Sequence, residues 1–324
     1  MTTAINLGFG IEIESEIRPN IPSNYDSKHR FATLLSSNGL PAAAGTSKYP
    51  TDYQKWWITN DGSIRCSQPD SVSMESVSPV RNFNEDEWKA EMRKFWSSMK
   101  SMFEVQRNRS CGSHIHVAPW GGKFTLKQAK TIAFACCYYE PYVVSLMPKE
   151  RRDNTYCQRN SRISPSSMMS FLFRNGNMAT IARDIKAVSS TESLIDYMQG
   201  ESRYVLWNFR PLANPRTGTI EFRGGRHLRG PNRTISWITF VVVFVMLALE
   251  EDLLHNRTTY TAVKNGKRSE VQGFWDRFLS YAERLGVRND LPDDFKMMSE
   301  KESWSGEVQR RAPGPTRARR VAIH

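Results

Sequence analysis

Cysteine is scarce in this sequence, and its arrangement does not suit a covalent or thiolate framework. The 324 residues contain five cysteines, an odd number, and none of them are paired in a Cys-x-x-Cys spacing. A disulfide-stapled scaffold and a structural zinc site are therefore not expected. The N-terminus also lacks a charged-then-apolar leader, so a cytoplasmic location is expected.

Hydrophobic runs of membrane length are missing as well. The most apolar stretch covers residues 235–249 and is followed by Glu250, Glu251 and Asp252. A membrane-spanning helix needs about 20 consecutive apolar residues, which is more than this stretch offers. The segment is therefore predicted to be a buried helix packed on a sheet, and a membrane is not expected as a partner.

The common phosphate-binding loops are absent too. Neither a Gly-x-x-x-x-Gly-Lys-Ser/Thr loop nor a Gly-x-Gly-x-x-Gly loop occurs, and there is no internal repeat. A bound nucleotide would consequently have to be held through metal ions and arginines. The arginines considered for this task are Arg151, Arg152, Arg159, Arg203 and Arg223, with Arg151 interpreted as a solvated surface residue.

Negative charge is in short supply, since 45 Lys and Arg face 33 Asp and Glu and the net charge is +12. Part of this excess lies in residues 305–324, where five arginines occur among Pro and Gly without a hydrophobic period. We interpret 305–324 as a basic flexible tail and 1–304 as a single catalytic domain. The remaining excess could hold an anionic small molecule, and nucleic acid is not the expected partner.

Three segments repeat one pattern, in which ligand-type side chains alternate with apolar ones. In the first, Glu12 and Glu14 alternate with the apolar residues of 7–13. The same alternation recurs in 113–117, with its two histidines, and in 219–223, with Glu221 and Arg223. Residues two apart in a strand share one face, so three strands are predicted to direct these groups to a common surface.

The other predicted elements complete an α+β fold. Short strands are predicted at Trp56–Thr59, Val72–Val77 and Tyr204–Phe209, and a long irregular loop at Pro19–Gln54. A capping box at Asn84 and Glu87 predicts one helix, and Thr125 with Gln128 predicts a second that is bent or broken near Pro141. Further helices are predicted at 164–172, 193–198 and 271–285. We expect a mainly antiparallel sheet with helices packed on one face and an open, metal-binding face.

The polar groups on the open face form a candidate metal site. Hard oxygen ligands with one imidazole suit Mg²⁺ or Mn²⁺ better than a thiol-binding metal. Taken singly, each pattern is equally compatible with a solvated strand, a structural histidine or a surface ion pair. The metal interpretation rests on their joint occurrence in Glu12, Glu14, Glu75, His114 and Glu221.

At this point the motifs resemble those of the amidoligase family, which belongs with carboxylate–amine ligases of the glutamine synthetase and glutamate–cysteine ligase type. The motifs span roughly Leu7 to Leu249 and agree in order. They are Gly10-Ile-Glu-Ile-Glu14, Asp61-Gly-Ser63 leading to Glu75-Ser-Val-Ser-Pro79, Cys111-Gly-Ser-His-Ile-His116, Arg203-Tyr-Val-Leu-Trp-Asn208 and Gly218-Thr-Ile-Glu-Phe-Arg223.

The resemblance implies a glutamine-synthetase-like catalytic sheet that binds ATP through divalent ions. By the resemblance, Glu12, His114 and Glu221 hold the metal on the ATP phosphates, and Glu14 and Glu75 hold the metal nearer the carboxylate substrate. The resemblance also implies catalytic roles for Arg223 and His116. It gives contacts with ATP or substrate to Asp61, Arg159, Arg203 and Asn208.

The implied activity is ATP-dependent amide formation between a small carboxylic acid and an amine or amino acid, through an acyl phosphate, with a specialised metabolite as one candidate product. The base that accepts the proton of the amine is not identified, and Glu16 is one guess. Two alternatives stay open from the sequence. One is phosphate transfer to a guanidino nitrogen on a related fold, and the other is a non-catalytic basic module that binds nucleic acid or metal.

Overall fold

The computed structural model describes residues 5–21, 26–47, 49–152, 154–163, 177–256 and 267–299. The predicted helix at 164–172 and the predicted basic tail at 305–324 lie outside these residues. The strands are β1 Leu7–Pro19, β2 Ala42–Ala44, β3 Trp56–Thr59, β4 Val72–Val77, β5 Arg81–Asn82, β6 Phe103–Gln106, β7 Ser113–Pro119, β8 Trp207–Asn208 and β9 Ile220–Gly225.

Helices fill the intervals between the strands and follow the last one. They are α1 Ser27–Ser37, α2 Glu87–Met102, α3 Leu126–Leu146, α4 Lys149–Arg152, α5 Asn160–Ile163, α6 Met178–Ala187, α7 Thr191–Gln199, α8 Pro231–Glu251, α9 Leu253–Asn256, α10 Arg268–Arg284 and α11 Lys296–Ser299. Two 3₁₀ turns cover Arg210–Ala213 and Arg288–Asp290.

The strands form one sheet in the order β2-β3-β4-β1-β7-β9-β8, with β5 and β6 also paired to β1. Every pairing between these strands is antiparallel except that of β2 with β3, and an isolated parallel bridge outside them joins Gln158 to Val205. The predicted α+β class with a mainly antiparallel sheet is thus confirmed. Strand β1 lies at the centre and pairs with β4 on one side and β7 on the other, so its side chains have neighbours on both sides.

The register of these pairings brings the ligand-type residues opposite one another. Glu14 pairs with Glu75, and Glu12 pairs with His114. One strand further along, His116 pairs with Glu221, which in turn pairs with Asn208. Because directly opposite residues project to the same face of a sheet, these side chains share one surface.

The opposite face of the sheet is apolar and carries the core. Leu7, Phe9, Ile11 and Ile13 are at most 1% exposed, as their alternation with the glutamates predicts. Helix α8 packs against β1 and β7. The side chain of Trp96 on α2 donates from Nε1 to Thr234 Oγ1 of α8 over 2.8 Å. Aromatic stacking of Trp207 on Phe244 then joins β8 to the same helix.

Helix α8 contains the predicted buried helix at 235–249, and its residues 237–248 are all buried. Among the described residues, none of the helices has both the length and the apolar character needed to cross a bilayer. All five cysteines are free thiols, and four of them are buried. The absence of a disulfide framework agrees with the prediction from their number and spacing.

Several local predictions were wrong at the level of element boundaries. The segment Pro19–Gln54 is not one loop, because it contains α1 and β2. Helix α1 begins after Asp26, whose side chain accepts from the backbone N–H of Lys28, and buries Phe31 and Leu35. Strand β8 covers only Trp207–Asn208 of the predicted Tyr204–Phe209, because Val205 forms an isolated parallel bridge with Gln158 and the N–H of Leu206 donates to the carbonyl of Gln158.

The predicted helix caps had mixed outcomes. The capping box of Thr125 and Gln128 is confirmed in α3. Helix α2 begins only at Glu87, and the backbone N–H of Asn84 instead donates to Asn82 Oδ1. Helix α3 continues through Pro141, because loss of one N–H donor is tolerated in a long helix buried along most of its length.

Candidate active site

Glu12 of β1 lies between the two histidines of β7. Its Oε2 is 2.8 Å from His114 Nδ1, and its Oε1 is 3.2 Å from His116 Nε2. Burial alone would raise the pKa of Glu12, but the hydrogen bonds with His114 and His116 hold that pKa well below its usual value. The strand pairing thus keeps an ionised carboxylate in a buried position.

Glu221 of β9 accepts two short hydrogen bonds. Arg223 donates from Nη1 to Oε1 over 2.5 Å, and Asn208 donates from Nδ2 to Oε2 over 2.6 Å. Burial opposes ionisation here too, yet Arg223 and the histidines hold the pKa of Glu221 below its usual value. Asn208 is itself buried and accepts from Gln199 Nε2 over 2.7 Å, so it fixes the orientation of Glu221.

The second histidine, His116, completes one set of possible ligands. One donor atom from each of Glu12, His116 and Glu221 lies within 4.8 Å of the others. The expected imidazole in this group was His114, whose Nδ1 is 3.4 Å from Glu221 Oε1 and whose Nε2 is 3.5 Å from Glu14 Oε1. His114 therefore lies between this group and the next. The assignment of His114 as the metal-binding histidine stays a prediction.

A second set of possible ligands lies on the β4 side of β1. One oxygen from each of Glu14, Asp61 and Glu75 lies within 4.8 Å of the others. Glu14 is fixed by the backbone N–H of Gly112, which donates to its Oε2 over 2.6 Å. Asp61 accepts from the backbone N–H of Ser63 over 2.6 Å, as expected for the turn that follows β3.

These two groups fit divalent cations by their chemistry. Five carboxylates meet on one largely buried face, beside the guanidinium of Arg223 and the imidazole rings of His114 and His116. Burial in low dielectric makes their mutual repulsion costly, and a hard divalent ion would relieve it. Oxygen ligands with one imidazole are the donors expected for Mg²⁺ or Mn²⁺.

A pocket next to the second group is bordered by three arginines. Arg151, Arg203 and Arg223 line it together with Glu14, Asp61, His114 and other polar residues. Arg203 is exposed and its guanidinium lies over the ring of Tyr204, 5.2 Å from the centroid. Arg159 is not among the described residues that line this pocket, and it lies near Glu140 of α3 instead.

Arg151 is the arginine for which the sequence interpretation was wrong. It was expected on the surface, but it is only 1% exposed and lines the pocket. Its Nη2 donates to the carbonyl of Arg223 over 2.6 Å. The charged run Lys149–Arg152 is typical of a solvated turn, so nothing in the local sequence signals this burial.

Glu16 is not placed as a proton acceptor for this pocket. The side chain is buried and accepts hydrogen bonds from the backbone and hydroxyl of Ser67, from the backbone of Gln68 and from Asn108 Nδ2. Burial works against it, but these donors hold its pKa below the usual value. Glu16 therefore anchors two loops, and its oxygens are occupied by these donors.

A protein-family model matches most of the chain. The family model described as "Putative amidoligase enzyme" matches residues 5–244. The chain belongs to the amidoligase family. The match covers all nine strands of the sheet and all the candidate ligands.

A crystal structure described as a "novel glutamine synthase homolog" matches with a TM-score of 0.40 and 11% sequence identity. The match covers 92% of this chain and 66% of that one, so the chain spans just under two thirds of that structure's length. Comparison with curated proteins gave no match.

Proposed function

We propose that this amidoligase joins a small carboxylic acid to an amine at the expense of ATP. The observation that carries the proposal is the pair of adjacent acidic groups on one sheet face, Glu12 with His116 and Glu221, and Glu14 with Asp61 and Glu75. Family membership supports the ligase class. The arginine-lined pocket beside the second group supports an anionic substrate.

The chemistry requires activation of the acid. A carboxylate resists attack by an amine because it is negatively charged and its oxide is a poor leaving group. Transfer of the γ-phosphoryl group of ATP to a carboxylate oxygen breaks the bond to ADP and forms an acyl phosphate. The amine then attacks the carbonyl carbon, phosphate leaves, and the amine nitrogen loses a proton.

The residues present fit distinct parts of this reaction. Glu12, His116 and Glu221 would hold one divalent ion, with His114 beside them, and Glu14, Asp61 and Glu75 would hold another. Such ions, when bound, neutralise phosphate charge. Arg223 lines the pocket beside the second group and offers guanidinium donors to the transferring phosphoryl group, where charge stabilisation is the dominant requirement.

Asn208 and Gly112 act through the ligands they hold. Asn208 fixes Glu221, and the N–H of Gly112 fixes Glu14. Hydrogen bonds of this kind orient the groups that bind a metal. Arg203 lies at the exposed edge of the pocket, where it can meet the charged end of a substrate.

The decisive experiment is a thermal-shift titration with ATP in the presence and absence of Mg²⁺. We expect a Mg²⁺-dependent stabilisation in the wild type, about 2.7 kcal/mol at a hundredfold excess over Kd. The variant Glu12→Gln/Glu221→Gln should lose it. The control Glu192→Gln/Glu283→Gln, which alters two exposed glutamates, should retain it.

Absence of any ATP-induced shift in the wild type, tested alone and with a mixture of small carboxylic acids, would refute the nucleotide site. If the shift is seen, acid and amine pairs are screened for ADP release and amide product. ADP release that needs a guanidino compound and no acid would instead indicate the phosphotransferase alternative.

A further inference from the structure

A second pocket lies at the end of the sheet, beyond the candidate active site. It is lined by Arg107, Arg109, Arg226 and Arg229, with Glu150 and His227 among its other residues. We call it the arginine pocket. None of these six residues belongs to the two acidic groups or lines the pocket beside them.

Strand pairing explains why these arginines meet. Ser113 at the start of β7 pairs with Gly225 at the end of β9, so the chain entering β7 and the chain leaving β9 run side by side. Ser113 Oγ donates to the carbonyl of Arg226 over 3.0 Å. The two arginines before β7 therefore face the two that follow β9.

The lining of the arginine pocket is mostly basic. Four guanidinium groups line it, with Glu150 as the carboxylate in the same lining, and Arg229 also interacts electrostatically with Glu104. The nearby Glu16 is committed to Ser67, Gln68 and Asn108. Because like charges in a partly buried pocket repel, an anion with several negative oxygens would stabilise this arrangement.

His227 adds a neutral donor to these charges. The backbone N–H of Asn108 lies 3.4 Å from its Nδ1, which makes that nitrogen the acceptor and leaves the proton on Nε2. Nε2 is buried and has no hydrogen-bond partner among the residues that the structure describes. Burial, with the charges of Arg229 and Arg226, lowers the pKa of His227 to about 3, so the ring is neutral at physiological pH.

We propose that the arginine pocket binds a phosphate-bearing small molecule at a site separate from the candidate active site. Guanidinium groups bind phosphate oxygens in bidentate fashion, and four of them suit a group carrying several negative charges. The concave shape favours a small ligand over a polynucleotide, which would track an extended basic surface.

The arginine pocket and the active-site pocket share a wall. Cys111 and Glu150 line the arginine pocket. Their chain neighbours reach the pocket beside the second acidic group, because Arg151 lines that pocket and the N–H of Gly112 donates to Glu14, which also lines it. The ligand therefore lies one residue away from the backbone N–H that holds Glu14. This inference does not depend on the activity proposed above.

The test is isothermal titration of the full chain with inorganic pyrophosphate, in EDTA and at constant chloride, so that metal-dependent binding is removed. Arg107→Gln/Arg109→Gln alters two exposed arginines, and we expect it to raise the Kd at least about tenfold. The control Arg93→Gln/Arg183→Gln removes the same charge from exposed positions elsewhere and should bind like the wild type.

The active-site variant Glu12→Gln/Glu221→Gln should also bind pyrophosphate like the wild type, which separates this site from the nucleotide site. Equal affinity in the wild type and in Arg107→Gln/Arg109→Gln, or no binding at all, would overturn the proposal. Citrate serves as a comparison ligand that carries carboxylates in place of phosphates. Binding of citrate but not of pyrophosphate would refute a phosphate ligand. Binding of a single-stranded RNA but not of pyrophosphate would refute a small-molecule site.

Discussion

Arg223 Nη1 lies 2.5 Å from Glu221 Oε1, so the guanidinium at the pocket and a candidate metal ligand form one buried ion pair. The same guanidinium donates from Nε to the carbonyl of Tyr156 over 3.2 Å. Its position is therefore fixed from two directions before any substrate binds. Pre-organised donors of this kind act on charge that develops during a reaction.

The first prediction concerns replacement of this arginine. Arg223→Gln should lower kcat for amide formation at least about a hundredfold, the usual effect of removing a donor to developing charge. The variant should keep its far-ultraviolet circular dichroism and unfold cooperatively. Arg183→Gln, on an exposed face of α6, is the matched control. Wild-type kcat in Arg223→Gln would exclude a catalytic role.

The second prediction tests Asn208 as the residue that holds Glu221. Asn208→Asp places a second carboxylate where an amide donated over 2.6 Å, so Glu221 loses a hydrogen bond and gains a repulsive neighbour. We expect Mn²⁺ to bind about 10–100-fold more weakly, measured by titration calorimetry. Asn214→Asp makes the same change at an exposed position and should leave Mn²⁺ affinity unaltered.

The third prediction concerns the close approach of Gly112 and Arg151. A Cβ on residue 112 would lie 2.8 Å from Arg151 Cζ, and the buried guanidinium has little room to move. Gly112→Ala should therefore lower the free energy of unfolding by about 1–3 kcal/mol, measured by urea denaturation.

Gly273→Ala is the matched control, because a Cβ there meets nothing within 4 Å and the residue lies inside α10. It should raise the free energy of unfolding by about 0.5–1 kcal/mol through helix propensity. A stability of Gly112→Ala equal to that of the wild type would show that Arg151 is not held as described.

The sheet and its acidic face could be predicted because their signals are local. Alternation in β1 assigns Ile11 and Ile13 to the core and Glu12 and Glu14 to the other face, whatever the partner strands are. The capping box of α3 and the uniformly apolar α8 are likewise visible within a few residues. The family motifs, which occur in the same order along the chain, then indicated that these strands belong to one sheet.

The missed features depend on contacts between distant residues. Arg151 is buried because Gly112, which lacks a side chain, leaves space for its guanidinium, and because the carbonyl of Arg223 accepts a hydrogen bond from it. Neither residue is near Arg151 in sequence. Asn208 is recognised as the holder of Glu221 only through the pairing of β8 with β9. The choice between His114 and His116 also depends on tertiary geometry, because both lie on the same face of β7.

Helix α1 was missed for a different reason. Its surroundings are rich in Ser, Asn and Pro, which indicated a loop. Within that stretch, however, Asp26 caps the helix, and the buried Phe31, Ala32 and Leu35 fall on one helical face. A short amphipathic pattern was therefore present, and composition over a longer window concealed it.

The last prediction follows from the lowered pKa of His227, about 3 in the folded chain against 6.5 for an unperturbed histidine. Between these values the unfolded chain binds a proton that the folded chain does not, so the free energy of unfolding should fall as pH decreases from 6.5 towards 3. Besides the desolvation of burial, the charges of Arg229, Arg226 and Arg107 oppose protonation, and Glu16 favours it.

In phosphate-free buffer, His227→Gln should give a shallower fall of stability with acid, measured by urea denaturation at a series of pH values. His255→Gln, at an exposed histidine, controls for the substitution itself. Identical slopes for the wild type and His227→Gln would mean that the ring can accept a proton in the folded chain and is therefore not held neutral among the arginines.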